Sequence, residues 1–165
     1  MGSRELEVIF LKKIEKVNNK FQLMPFMDLI YNPKLTLPRV VSRTALVPTG
    51  TFMNKKEGVY EEITIYKHNI SFTFVIDDTV SFDEILEIHK ILKHEVKNNW
   101  ESQRENKNYV VLEVTNIFDI SEIGRDGITR RYMFEVIITT QESTSIDIGV
   151  VKKVEFDLKG VKHGN

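Results

Sequence analysis

Cysteine is absent from this 165-residue chain, which excludes disulfide frameworks, thiolate zinc sites, iron–sulfur clusters and cysteine nucleophiles together. A reducing compartment fits that composition. Proline is scarce, with 4 residues, and all of them stand between Pro25 and Pro48. Neither charge sign dominates: 23 Lys+Arg face 24 Asp+Glu for a net charge of −1, so the basic excess of a general nucleic-acid binder is missing. No window approaches the ~18 uninterrupted apolar residues of a membrane helix. Glu5 stands where a signal peptide is basic, and Lys12 and Lys13 cut the apolar stretch behind it, so no secretory leader is expected. Phosphate-binding glycine loops, serine nucleophile elbows and zinc helices are missing too, which points away from an enzyme.

What is present is the composition of an ordinary globular protein, 41% hydrophobic and 28% charged. A chain of this length buries roughly 70% of its unfolded surface, enough for one core without staples, and a single domain over residues 1–165 is expected. Leu6, Ile9, Phe10, Ile14, Val17 and Phe21 recur at spacings of three and four, which predicts an amphipathic helix over 3–21 with Ser3 as its N-cap. Residues 22–58 hold every proline and read as a long loop with two short extended pieces, 26–31 and 39–47. From Pro33 to Gly58 the loop carries Lys34, Arg39, Arg43, Lys55 and Lys56 against Glu57 alone.

Period-two alternation predicts strands over 59–77, with His68-Asn69 as a hairpin or bulge. Ser81-Phe82-Asp83-Glu84 is a capping box that opens a second amphipathic helix over 81–100, with Phe82, Ile85, Leu86, Ile88, Leu92, Val96 and Trp100 on its apolar stripe. Strands follow at 109–116, 130–140 and 150–158, with a turn at Gly124 to Gly127 and a frayed tail over 159–165. The order predicts an α+β fold: a mixed, largely antiparallel β-sheet with the two helices packed on one face and a long proline-rich loop.

Candidate chemistry is sparse. His89 and His94 are five apart on the second helix, where metal-binding pairs sit three or four apart, and they read as surface histidines. His68 and His163 have no partner in sequence. Glu62, Lys67 and Asp77 form the one alternative catalytic set, a loose magnesium site for a small nuclease. Gly124-Arg125-Asp126-Gly127 with Arg130 and Arg131 reads either as a solvated turn or as a binding corner, since arginine forks grip carboxylates and phosphates. A further reading makes the chain a monomeric interaction module whose basic loop binds an acidic partner.

Several phrases carry a resemblance: Met24-Pro25-Phe26-Met27-Asp28-Leu29-Ile30-Tyr31 after the first helix, then Ile70 to Asp77 running into Ser81-Phe82-Asp83-Glu84, then Asn116 to Ser121 and Arg130 to Ile138. In element order and in these phrases, residues 6–158 resemble the tail terminator or neck proteins of long-tailed bacteriophages and phage-tail-like bacteriocins. That resemblance implies a structural subunit with no catalytic residues, no cofactor and no metal. It implies a homo-oligomeric ring, usually hexameric, that caps the head-proximal end of a tail tube, stops tube and sheath growth and docks the neck or head. Expected partners are other copies of the chain, tail tube protein, sheath protein in a contractile tail and a neck or head-completion protein, with no membrane and no sequence-specific nucleic acid. The place implied is the virion or tail-like particle, assembled in the bacterial cytoplasm. Lys34, Arg39, Arg43, Lys55, Lys56, Arg125, Asp126 and Arg130 are the residues expected at subunit or tail contacts.

Overall fold

The computed structural model of the chain describes residues 1–29, 31, 36–56, 58–97 and 108–147. Along them run α1 (Ser3–Val17), β1 (Gln22–Pro25), α2 (Phe26–Leu29), β2 (Arg39–Lys56), β3 (Val59–Ile76), α3 (Phe82–Lys97), β4 (Val110–Val114), β5 (Phe118–Asp119), β6 (Glu122–Gly124) and β7 (Gly127–Asp147). The strands form one seven-stranded sheet in the order β1-β2-β3-β7-β4, with β5 and β6 also paired to β7. β1 runs parallel to β2, whereas β4, β5 and β6 are all antiparallel to β7. The fold is the expected α+β, with a mixed and largely antiparallel sheet.

Two compact units divide the chain. One comprises Met1–Val47 and Lys67–Thr140, the other Pro48–Tyr66 and Gln141–Asn165. The first holds the core. On β3 the even positions His68, Ile70, Phe72, Phe74 and Ile76 are buried, and on β7 so are Phe134, Val136, Ile138 and Thr140. A pleated strand sends alternate side chains to one face, and the two helices cover that face. Phe10 of α1 meets Phe72 and Tyr109, Phe82 at the start of α3 lies against Tyr132, and Phe74 stacks on Phe134 with centroids 5.4 Å apart. Lys13 of α1 and Glu95 of α3 form an ion pair across the helices. In the second unit Ile63 is the one buried apolar residue among those described.

Several expectations need correction. Helix α1 stops at Val17, and its N-cap is Gly2, because the Ser3 hydroxyl is engaged by His68 at 3.0 Å. Phe21, beyond the helix, still reaches the core edge-on to Phe74. Residues 22–58 are not chiefly loop: β1, α2 and the 18 residues of β2 occupy them. The prolines permit this by position. Pro25 ends β1, Pro38 precedes β2, and Pro48 lies on β2 beyond Ser42, where pairing with β1 has ended; an outer strand tolerates a residue with no N–H. His68-Asn69 forms neither hairpin nor break, and β3 is one strand. β7 is longer than 130–140, and the linker before it contributes β5 and β6. The strand expected at 150–158, the tail over 159–165 and Trp100 lie outside the described residues.

Candidate functional site

The expected contact residues fall into separate local settings. Lys34 is outside the described residues. Arg39 opens β2 opposite Gln22 of β1. Arg43, exposed on β2, holds its guanidinium 4.9 Å from the ring of Phe26. Lys55 is exposed near the end of β2, and Lys56 closes that strand. Arg125 and Asp126 are the two exposed residues of the β6–β7 turn, in a register that sets Ile123 opposite Ile128 and Gly124 opposite Gly127. Gly127 adopts φ +111, a conformation open to glycine and strained for other residues. Arg130 is drawn away from that turn: its Nη2 donates to the carbonyl of Asp77 at 3.1 Å and approaches Asp78 at 3.4 Å. The binding corner read from sequence therefore separates into an exposed turn and an arginine that holds the end of β3.

Arg43 borders a cleft of about 480 Å³ whose lining includes Ser3, Arg4, Glu7, Phe26, Asp28 and Thr44. Arg4 bridges to Asp28 at 3.1 Å. Glu7 is buried, and its carboxylate accepts hydrogen bonds from Ser42 at 3.0 Å and from Thr44. The helix pattern alone sets this acid among the polar residues between those of the apolar stripe and does not reveal its burial, although it stands three residues before Phe10 and four before Leu11. A buried carboxylate needs hydrogen-bond donors, and two β2 hydroxyls supply them. Exposed apolar residues were not legible there either. Ile123 is 86% exposed and Ile128 69%, and β2 exposes Leu46, Val47, Phe52 and Met53 at about half their surface each.

Two of the four histidines, His68 and His89, are buried and hydrogen-bonded. His89 is buried, contrary to the surface reading, and its Nε2 donates to the carbonyl of Thr115 at 2.7 Å while the ring meets Phe134 edge-on. The cause is the helix stripe, since His89 follows Ile88 and precedes Leu92 by three. His68 is buried between Ser3 and Thr140. Burial pushes its pKa down, and the Met1 ammonium adds to that. His94 is exposed, as expected, and His163 is outside the described residues.

The magnesium set does not assemble. Lys67 lies within β3 and Asp77 one residue beyond its end, ten positions apart, or about 33 Å at the rise of an extended strand. No group of three or more His, Asp or Glu among the described residues is placed to hold a metal. No described helix is long and apolar enough to cross a membrane.

Residues 34–161 match the family described as phage neck terminator protein, and the chain belongs to that family. No curated protein matches it. A structural part in a bacteriophage, at the tail terminator and neck, follows from that membership, with other tail or head proteins as partners and the virion as its place.

Proposed function

We propose that this member of the phage neck terminator family is the subunit of a homo-oligomeric ring, a hexamer, which caps the head-proximal end of a tail tube. The observation that carries the reading is the family match over residues 34–161. The ring halts polymerisation of the tube, and of the sheath where the tail is contractile, and offers the neck or head its docking surface. No catalytic step and no cofactor enters. Lys34, Arg39, Arg43, Lys55, Lys56, Arg125, Asp126 and Arg130 are proposed at subunit or tail contacts, Arg130 through the Asp77–Asp78 corner that it holds. Support comes from the exposed apolar side chains of β2 and of the β6–β7 hairpin, since a surface of that kind marks a protein contact.

The test is the mass in solution, by light scattering behind a sizing column across concentration, repeated with purified tail tube. A hexamer-sized species, or one that forms only on tube ends, supports the ring. A monomer at every concentration that ignores the tube sinks it.

A further inference from the structure

The two outer edges of the sheet are unequal to its middle. β1 accompanies β2 only from Arg39 to Ser42, and its last partner is Pro25, which has no N–H to continue the ladder. Among the described residues nothing pairs with β2 on that side beyond Ser42, so residues 43–56 form an outer strand. On the far side β4 accompanies β7 only as far as Thr139, and among the described residues nothing pairs with 140–147 on that side. Natural proteins protect long outer strands, because unpaired backbone groups recruit further chains. β2 carries such guards in Pro48, Arg43 and Lys55, yet Leu46 and Phe52 on one parity and Val47 and Met53 on the other are all exposed.

Charge decides which edge meets which. β2 carries Arg39, Arg43, Lys55 and Lys56 and no acid, whereas residues 140–147 of β7 carry Glu142 and Asp147 and no base. Two β2 edges repel each other, as do two β7 edges; β2 against β7 is attractive. These edges lie on opposite sides of the order β2-β3-β7, so such a contact is head to tail, the heterologous type that closes into a ring when its rotation permits.

We propose that copies of this chain join by strand addition, the outer edge of β2 over residues 43–56 in one copy, its ladder missing the one N–H that Pro48 lacks, pairing with residues 140–147 of β7 in the next. This deepens the ring reading and rests on it for the number of copies. Main-chain hydrogen bonds supply the adhesion, exposed apolar side chains on both faces of β2 are covered as the copies meet, and the opposite charges set direction.

Two charge-reversed chains test it: Arg43→Glu with Lys55→Glu, and Glu142→Lys with Asp147→Lys. Each is checked for a cooperative melt and then sized by light scattering, alone and as an equimolar mixture. Alone, each variant needs roughly tenfold or more higher concentration to assemble than the wild type. In the mixture every junction regains opposite charges, and assembly returns to the wild-type range. Variants that assemble like the wild type, or a mixture of folded variants that stays apart, overturn the proposal. Should either variant fail to fold, hydrogen exchange on the wild type decides: amides of 43–56 and 140–147 slow as assembly sets in, and unchanged exchange there rejects strand addition. A wild-type chain that binds tail tube only as a monomer also rejects it, while leaving a terminator role standing.

Discussion

His68 and Thr140 meet across β3 and β7 with Nε2 2.8 Å from Oγ1, both side chains buried. Ser3 approaches the other ring nitrogen at 3.0 Å, so the start of α1, the middle of β3 and the end of the core segment of β7 are tied through one imidazole. A neutral imidazole donates from one nitrogen and accepts at the other, which suits two hydroxyls.

That arrangement gives stability a pH dependence. Burial, with the Met1 ammonium, lowers the pKa of His68 in the folded chain, so the unfolded chain takes up the proton first. Stability is therefore full above about 6.5, the ordinary histidine value, and falls as pH drops below it. Urea denaturation at pH 7.5 and 5.5 checks this. His68→Gln should flatten the profile between those values, and an unchanged slope would refute the assignment.

The aromatic centre sets the largest single cost. Phe134 touches Phe72, Phe74 and His89 and is fully buried. Phe134→Ala is expected to lower unfolding free energy by about 3–5 kcal/mol, and Phe134→Leu by less. Denaturant midpoints of the two variants measure it.

Glu7 is held by the two hydroxyls of β2. Glu7→Ala leaves both donors without their acceptor inside the protein and should cost about 1–3 kcal/mol. Glu7→Gln keeps one acceptor oxygen and should cost less than the alanine variant. Equal losses in thermal melts would show that the carboxylate, not the acceptor, matters.

Gly127 and Gly124 face each other in the β6–β7 hairpin but differ in kind. Gly127→Ala forces a side chain onto φ +111 and should destabilise by about 1–3 kcal/mol. At Gly124 the nearest atom to an added Cβ is the Gly127 carbonyl oxygen, 3.9 Å away, an ordinary contact. Gly124→Ala is expected to stay within about 1 kcal/mol of the wild type. Melting temperatures of the pair separate strain from simple loss of glycine.

Local pattern alone determined the two long helices, the buried parity of β3 and β7, the turn at Arg125-Asp126 and the α+β class, because burying one face imposes its period on the residues themselves. Glu84 is an example: its carboxylate accepts the Ser81 N–H at 2.9 Å, as the capping box implies. The family resemblance was legible in the same phrases. Tertiary structure alone decided what depends on residues distant in the chain. Ser3 left its expected capping role for His68, 65 positions away, and Arg130 turned from the hairpin to Asp77, 53 positions away. Proline counting made 22–58 a loop, since composition carries the missing N–H but not whether a neighbouring strand needs it. On β2 beyond Ser42 no described neighbour does, and the exposed edge left there is a property of strand pairing that no local pattern records.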